Sequence, residues 1–464
     1  MNHEHQYLQL DRQMVGDIYT SREAMDNLII LCDDFGSRFA GTPEERRAAG
    51  FIQETFERYG LKNVRLESYS YAGWSRGEAT LDIVEPVQKS IPCISLPYCP
   101  ADDITADLIS AGCGSPVEFE GIGGQMAGTI VLALSSSPPD LGRWVHRKEK
   151  YDRAILGGAV VFIFVSEHPG VGPETGSLQN DSIAPIPGIS ICKEDGAFLF
   201  RLAERYGNVR LHVRTTDINE ARTSWNVIGD LPGIERPDEM VIVGCHYDGH
   251  DISQGAHDPA SGMVSVIEAS RVLSRYAAKR LKRTVRFIAF GTEEIGLTGA
   301  FRYVAAHTDE LDNIRFMFNM DASGGTGRKG IGLHQWKELE PFFKKAAKDM
   351  AAEIPVGQKL NSYSDHFPFV LQGVPSADMS DPEAPPHGRG FGHTAYDTLE
   401  KVELENLRQA STVGARLLLR IANADEFPAQ RRTNAEVQEV IDTDPGLEGY
   451  RVSLELAKLR QVSS

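Results

Sequence analysis

The sequence predicts an α/β fold in which a mixed, mainly parallel sheet is flanked by helices, with a smaller, β-rich α+β domain inserted into it. Short apolar, β-branched or aromatic runs end in turns that carry acidic or histidine residues, as in "MVIVGCHYD", "RTVRFIAFGTEE" and "NIRFMFNMDASGG". Helical patterns lie between the runs, notably "SGMVSVIEASRVLSRYAA". Strand, helix, strand in this order is typical of a parallel sheet with right-handed crossovers.

At 464 residues, the chain is long enough for a large core and a second unit. The predicted division is a discontinuous catalytic domain (residues 1–100 and 216–426), an inserted domain (101–215, "the insert") and a C-terminal helical extension (427–464). In the insert, "AGTIVLAL", "GGAVVFIFV", "IPGISI" and "VRLHVRT" predict strands, whereas "DRAILGG" and "EDGAFLFRLAERYG" predict helices. The extension is expected to pack as an amphipathic helix on the catalytic domain or on a second subunit of a homodimer; a frayed tail is the alternative.

The charge balance argues against nucleic acid and anionic membranes as partners. The formal net charge is −17 at pH 7, from 65 acidic and 48 basic residues. The first residues, "MNHEHQYLQLDRQM", lack an apolar core of signal-peptide length, and no run of about 18 apolar residues occurs. The six cysteines form no CxxC pair, which fits a reducing compartment. We therefore expect a cytoplasmic protein.

Five acidic or histidine residues lie at or near the ends of β-like runs: His246, Asp258, Glu294, Asp321 and His393. Functional groups collect at the carboxyl ends of the strands in a parallel sheet, so we expect these side chains to meet. A mixed set of imidazole and carboxylate ligands suits zinc best, with cobalt or manganese as alternatives. In a two-metal site one ligand bridges both ions. We assign Asp258 as the bridge, His246 and Asp321 to one ion, and Glu294 and His393 to the other.

Two further carboxylates have predicted roles beside these ligands. Glu293 adjoins the ligand Glu294, but its side chain points elsewhere if the strand continues through it, which suits a general base. Asp248, two residues beyond His246, is expected to accept the second ring N–H of that histidine and to fix its tautomer.

These segments resemble the co-catalytic zinc exopeptidases typified by bacterial leucyl aminopeptidase, and within them the branch that includes plasma glutamate carboxypeptidase. The resemblance covers most of the chain and preserves the family's order of segments: "FGSRFAGTPEERRAAGFIQETFERYGL", "HYDGHDISQGAHDPASG", "RTVRFIAFGTEEIGLTGAFRYV", "NMDASG", "SDHFPFVLQGVP" and "GHTAYDTLEKV". It implies two zinc ions per chain, Asp258 as their bridge and Glu293 as the base. Residues 101–215 resemble the protease-associated domain that some members carry. The sequence departs from the carboxypeptidase branch at Pro259 and Ala260, and "FGHTAYDT" is more similar to the aminopeptidases.

The resemblance implies a zinc-dependent exopeptidase, and an aminopeptidase acting on short peptides is the favoured interpretation. Water attacks the peptide carbonyl while Glu293 takes up its proton and passes it to the leaving amine. One alternative is a carboxypeptidase or dipeptidase of the same family. The others are a single-metal glutaminyl cyclase and an inactive, receptor-like binding protein.

The remaining histidines of these segments receive plainer interpretations. His250, His257 and His387 are each interpreted as surface or internally satisfied histidines, and His366 as a structural residue or one that supports a metal ligand. Pocket-lining residues are expected from the loops "NSYSDHF" and "DPEAPPHGRGFG", since loops are where specificity varies most.

Overall fold

The computed structural model describes residues 7–380 and 391–463, which form two eight-stranded sheets with helices around them. The strands, in chain order, are β1 (Lys62–Ser75), β2 (Ala79–Glu85), β3 (Lys89–Ile91), β4 (Ile94–Ser95), β5 (Asp102–Ser110), β6 (Ile130–Leu134), β7 (Val161–Val165), β8 (Gly188–Ile191), β9 (Arg210–Thr215), β10 (Ile218–Leu231), β11 (Arg236–His246), β12 (Arg283–Phe290), β13 (Ile314–Asn319), β14 (Gly330–Leu333), β15 (Val356–Gln358) and β16 (Ser376–Ser380). The α-helices are α1 (Leu8–Thr20), α2 (Glu23–Ile29), α3 (Pro43–Arg58), α4 (Pro116–Ile122), α5 (Arg147–Leu156), α6 (Lys193–Tyr206), α7 (Gly262–Ala277), α8 (Thr298–Ala306), α9 (Glu340–Asp349), α10 (Phe367–Leu371), α11 (Leu404–Asn423), α12 (Asn434–Thr443) and α13 (Glu448–Ser463).

The first sheet has the order β1-β10-β12-β11-β13-β16-β14-β15. Its centre is parallel, because β12, β11, β13 and β16 run in the same direction. Strands β10 and β14 are antiparallel to their neighbours β12 and β16. The predicted mixed, mainly parallel sheet is therefore confirmed, and the three runs quoted for it are strands β11, β12 and β13.

Strand β11 shows why the sheet is covered on both faces. Successive side chains of a strand point to opposite faces. Val241 and Val243 pack in the core that α7 and α11 cover, whereas Met240 and Ile242 pack in a second core with residues of α8 and α10. All four side chains are buried. A continuous apolar run is thus what this strand requires.

The second sheet has the order β3-β2-β9-β5-β6-β7-β8-β4. The four predicted strands of the insert are β6 to β9, and the two predicted helices are α5 and α6. Strands from residue 79 onwards also belong to this sheet, because β2 pairs with β9 along its length. The sheet therefore begins before residue 101, where the predicted insert starts. The assignment of the insert to a protease-associated domain stays a prediction.

Helices from distant parts of the chain pack together on the first sheet. Asp11 of α1 contacts two guanidinium groups of α11, with Oδ2 at 2.9 Å from Arg416 Nη2 and at 2.8 Å from Arg420 Nη2. Burial raises the pKa of Asp11, but the two arginines outweigh it and hold the pKa below the usual value.

Among the described residues, no helix combines the length and the apolar character that crossing a membrane requires.

The substitution Asp11→Asn should destabilise the protein, because it leaves two nearly buried guanidinium groups without their carboxylate. We expect the free energy of unfolding to fall by about 3 kcal/mol, measured by chemical denaturation. Asp26→Asn is the matched control, since Asp26 pairs with Arg22 while 60% of its side chain is exposed. The control should change the free energy by less than about 0.5 kcal/mol. Equal effects of the two substitutions would contradict this role of Asp11.

Candidate active site

The predicted site residues follow three neighbouring parallel strands. Strand β11 ends at His246, the turn after β12 carries Glu293 and Glu294, and Asp321 follows β13. Because β12, β11 and β13 are adjacent and parallel, their carboxyl ends lie side by side. The sheet therefore brings these side chains to one place, as the sequence predicts.

Asp258 lies between the two predicted histidine ligands. Its Oδ1 atom is 3.3 Å from His246 Nε2, and its Oδ2 atom is 3.5 Å from His393 Nε2. His246 Nε2 is also 3.2 Å from Asp321 Oδ1, and His393 Nε2 is 3.7 Å from Glu294 Oε2. This arrangement is compatible with the division of ligands inferred from the sequence, and Asp258 offers one oxygen to each side.

Glu293 occupies a different position from its neighbour Glu294. Its Oε2 atom is 3.8 Å from His246 Nε2, whereas Glu294 lies beside His393. The two adjacent carboxylates thus lie beside different histidines. A base next to a ligand in the sequence needs this separation, because the two side chains must point to different places.

His250, interpreted from the sequence as a surface or internally satisfied histidine, lies beside two of the predicted ligands. It is not a surface histidine: only 2% of it is exposed, and its Nε2 atom is 2.7 Å from Glu294 Oε2 and 3.1 Å from His393 Nδ1. The spacing in "HYDGH", with His250 four residues after His246, was the available signal. His387 lies outside the described residues.

Asp248 supports the site differently from the sequence prediction. Its backbone carbonyl lies 2.9 Å from His246 Nδ1, while its Oδ1 atom is 3.7 Å from that nitrogen. The carboxylate instead accepts the backbone N–H groups of Glu293 and Glu294, at 3.1 and 3.3 Å. Asp248 therefore joins the turn after β12 to the end of β11, and its carbonyl oxygen orients the imidazole.

A second buried carboxylate performs the same task for Asp258. Asp397 accepts the backbone N–H groups of His257 and Asp258, at 2.7 and 3.0 Å. The loop that contains Asp397 also supplies His393, whose backbone has a positive φ of 63°. The carbonyl of His393 accepts the N–H of Thr175 at 2.8 Å, so the insert helps to hold this loop.

Arg38 holds the segment between His246 and Asp258. Its side chain is fully buried. The guanidinium donates hydrogen bonds to the backbone carbonyls of five residues: Leu31, Gly36, Tyr247, Gln254 and Gly255. Three of these belong to the loop after β11, and the other two lie close to Arg38 in sequence. Arg38 therefore fixes the loop that separates two predicted ligands.

Burial of the acidic side chains makes their ionisation unfavourable. Burial raises the pKa of Glu293 well above its usual value and that of Glu294 to about 8. Burial also opposes ionisation of Asp258, but hydrogen bonds from His246 and His393 outweigh it and hold the pKa of Asp258 well below the usual range. So many buried carboxylates are stable as anions only beside positive charge.

The residues present are of the kinds that bind metal ions, and they lie close enough together to do so. Ligand atoms lie within 4.8 Å of one another in three overlapping groups: His246, Glu293 and Asp321; His246, Asp258 and Glu294; and His250, Glu294 and His393. Glu294 Oε1 is buried and has no hydrogen-bond partner among the described residues, so it is free to bind a cation. Imidazole and carboxylate together are ligands that zinc accepts.

The site opens into a pocket that three parts of the chain line. The first part comprises four of the predicted ligands together with Glu293; these ligands are Asp258, Glu294, Asp321 and His393. The second is the insert, through His146, Lys148 and Ser177, and the third is α13, through Tyr450 and Ser453. Ser362 and Tyr363, from the predicted loop "NSYSDHF", line the pocket as expected. The second predicted loop lies mostly outside the described residues.

Two buried residues next to Ser364 surround the site without forming part of the ligand groups. His366 stacks on His334, with ring centroids 3.8 Å apart, and its Nε2 atom lies 3.1 Å from the carbonyl oxygen of Asn361. This placement is the structural role expected for His366. Asp365, which the sequence analysis did not single out, is fully buried, and burial raises its pKa well above the usual value.

An α/β sheet that brings two histidines, three carboxylates and a separate glutamate together at the ends of its strands is typical of metal-dependent hydrolases. Residues 226–418 match the family model described as Peptidase family M28. The chain thus carries a Peptidase family M28 domain, and every predicted ligand and Glu293 lie within the matched residues.

Individual relatives extend the similarity beyond this region. The chain is 29% identical over 413 residues to aminopeptidase YwaD of Bacillus subtilis, covering 84% of this chain and 83% of that protein. It is 27% identical over 374 residues to carboxypeptidase Q of Xenopus laevis, covering 77% of each. The solved structure of BSAP, a zinc aminopeptidase from Bacillus subtilis, has a TM-score of 0.65 at 25% identity, covering 85% of this chain and 94% of that one.

Replacing Arg38 by methionine should weaken metal binding, because the loop between His246 and Asp258 loses the three hydrogen bonds that Arg38 donates to its carbonyls. We expect the zinc affinity to fall by about 10- to 100-fold, the usual effect of removing groups that orient ligands. Competition with a chromogenic chelator measures this affinity, and circular dichroism checks that the variant is folded. Arg12→Met, at an exposed position of α1, is the control. A folded Arg38→Met variant with unchanged affinity would show that the loop needs no such support.

Proposed function

We propose that this protein is a zinc-dependent aminopeptidase that removes N-terminal residues from short peptides. The observation that carries the proposal is the position of Glu293, 3.8 Å from His246 at the side of the predicted ligand cluster. The name of the relative YwaD, an aminopeptidase, supports the same activity. Zinc is proposed because the donor set suits it and because BSAP is described as a zinc aminopeptidase.

Two ions per chain are proposed: His246 and Asp321 would hold one, Glu294 and His393 would hold the other, and Asp258 would contribute to both. Bound zinc supplies Lewis acidity that polarises a peptide carbonyl and makes water more acidic. The chain's own residues orient these groups: Asp248 fixes His246 and the turn of Glu293, and Asp397 fixes Asp258.

Glu293 is the group that moves the proton. Its Oε2 atom accepts a proton from the attacking water and returns it to the leaving amine. Burial raises the pKa of Glu293, which favours uptake of the proton in the first step. The backbone N–H of Glu293 donates to Asp248 at 3.1 Å, which fixes the turn from which the carboxylate extends.

A carboxypeptidase or dipeptidase is the second candidate, because carboxypeptidase Q is a relative of similar identity. A cytoplasmic location is also proposed, and the presence of six free cysteines supports a reducing compartment. Assembly as a homodimer stays a prediction.

Hydrolysis of a panel of short peptides in free, N-acetylated and C-amidated forms tests the proposal. The zinc-loaded protein should cleave free and C-amidated peptides and lose activity on N-acetylation, read by mass spectrometry. Loss only on C-amidation would establish a carboxypeptidase, and loss on both modifications a dipeptidase. A protein that holds two metals and cleaves no peptide would contradict the peptidase proposal.

Glu293→Gln and Asp258→Asn should separate the roles of base and ligand. Glu293→Gln should retain both metals but lose about 10²- to 10⁴-fold in kcat/KM, because the base is removed. Asp258→Asn should instead lower the metal content, measured by elemental analysis of the dialysed protein. If Glu293→Gln also loses metal, Glu293 is a ligand, and if it retains full activity, another group is the base.

A further inference from the structure

The C-terminal helix α13 lies outside the residues that match the peptidase family, yet it lines the pocket. Gly449, Tyr450 and Ser453 of this helix share the pocket with Glu293 and Glu294. A segment that closes part of a substrate pocket contacts whatever the pocket binds. The role of α13 therefore depends on whether its position is fixed and on which of its side chains face the pocket.

Ion pairs attach the start of α13 to the insert. Glu448 contacts two arginines, with Oε2 at 2.9 Å from Arg143 Nη2 and Oε1 at 2.5 Å from Arg153 Nη2. Both arginines also bind the fully buried carboxylate of Glu149, at 2.8 and 3.0 Å. This network of two cations and two anions is largely shielded from solvent. It holds α13 more firmly than an isolated surface pair would.

Two further contacts fix the helix close to the pocket. Lys148 Nζ, from the insert, lies 3.0 Å from Ser453 Oγ and 2.7 Å from Asp152 Oδ2. On the other side, Gly449 packs so closely against the loop of Tyr363 that a Cβ atom at this position would lie 2.4 Å from the tyrosine hydroxyl. The helix is thus held between the insert and the catalytic domain.

Tyr450 belongs to the apolar side of the pocket. Its ring meets the ring of Phe367 edge-on, with centroids 5.0 Å apart and an angle of 79°. Leu297 and Phe301, which follow Glu294 in the sequence, pack in the same cluster and line the same pocket. This apolar surface lies in the same pocket as the proposed ligands. It is suited to an aliphatic or aromatic side chain of a substrate.

We infer that Tyr450 is a specificity-determining residue, which limits the size of the apolar side chain that the pocket accepts. The inference rests on the proposed function, because the side chain in question is that of the residue removed from a peptide. Leu297, Phe301 and Phe367 supply apolar contact, and the ring of Tyr450 closes the space beside them. Because α13 is anchored on two sides, this ring cannot easily withdraw.

The test compares two substrates that share one leaving group, the p-nitroanilides of leucine and tryptophan. The ratio of their kcat/KM values does not depend on the fraction of folded enzyme, so partial loss of stability does not disturb it. Tyr450→Ala should raise the tryptophan-to-leucine ratio by about tenfold or more, since a pocket discriminates by this amount for a small difference in apolar volume. Tyr450→Phe, which retains the ring, should leave the ratio within about twofold of the wild-type value.

Leu454→Ala is the matched control, because Leu454 is an exposed residue of the same helix and does not line the pocket. An unchanged ratio in Tyr450→Ala, or an equal change in Leu454→Ala, would overturn the inference. If the wild-type protein hydrolyses neither anilide, the aminopeptidase proposal is wrong. In that case, calorimetry on the zinc-loaded variants measures the dissociation constants of L-leucine and L-tryptophan. The role of Tyr450 is then decided by whether Tyr450→Ala raises the affinity for tryptophan relative to that for leucine.

Discussion

The burial of several carboxylates at the carboxyl ends of three parallel strands is the constraint on which the architecture of the site depends. Glu293, Glu294 and Asp258 cannot all remain anionic in a buried pocket without positive charge close by. His246 shows how these carboxylates affect a neighbouring base. Burial opposes its protonated form, but the carboxylates of Glu293 and Asp321 hold its pKa well above the usual value. Bound divalent cations would offset the same cost, and the histidines predicted to hold them would then be neutral.

Holding these groups in place requires interactions that do not themselves bind a metal. Three buried residues with ionisable side chains make hydrogen bonds to backbone groups of these loops: Arg38, Asp248 and Asp397. Backbone N–H and C=O groups in loops have no strand partner, so a buried side chain that satisfies several of them fixes the loop conformation. These hydrogen bonds therefore constrain the backbone of the loops after β11 and β12.

The sequence predicted most of what is local and missed what depends on distant contacts. Strands β11, β12 and β13 and the residues at their ends follow from apolar runs, because a buried parallel strand needs such a run. The hydrogen bonds of Arg38 to the loop after β11 join residues about 200 positions apart, and no short pattern encodes them. The proximity of His250 to the predicted ligands was not predicted for a related reason, since its contact with Glu294 depends on how two loops meet. The carboxylate of Asp248 was assigned to His246, but the backbone carbonyl occupies that position.

The division of the chain explains why the sequence predicts the reaction class better than it predicts the residues that line the pocket. Every predicted ligand and the proposed base lie within residues 226–418, which match the peptidase family. Lys148, Ser177 and Tyr450, which line the same pocket, lie outside that region. The insert and α13 therefore contribute to the pocket lining, and their sequences can change without altering the predicted ligands. The family thus defines the reaction class, whereas part of the pocket lining depends on surfaces that long-range packing brings to the site.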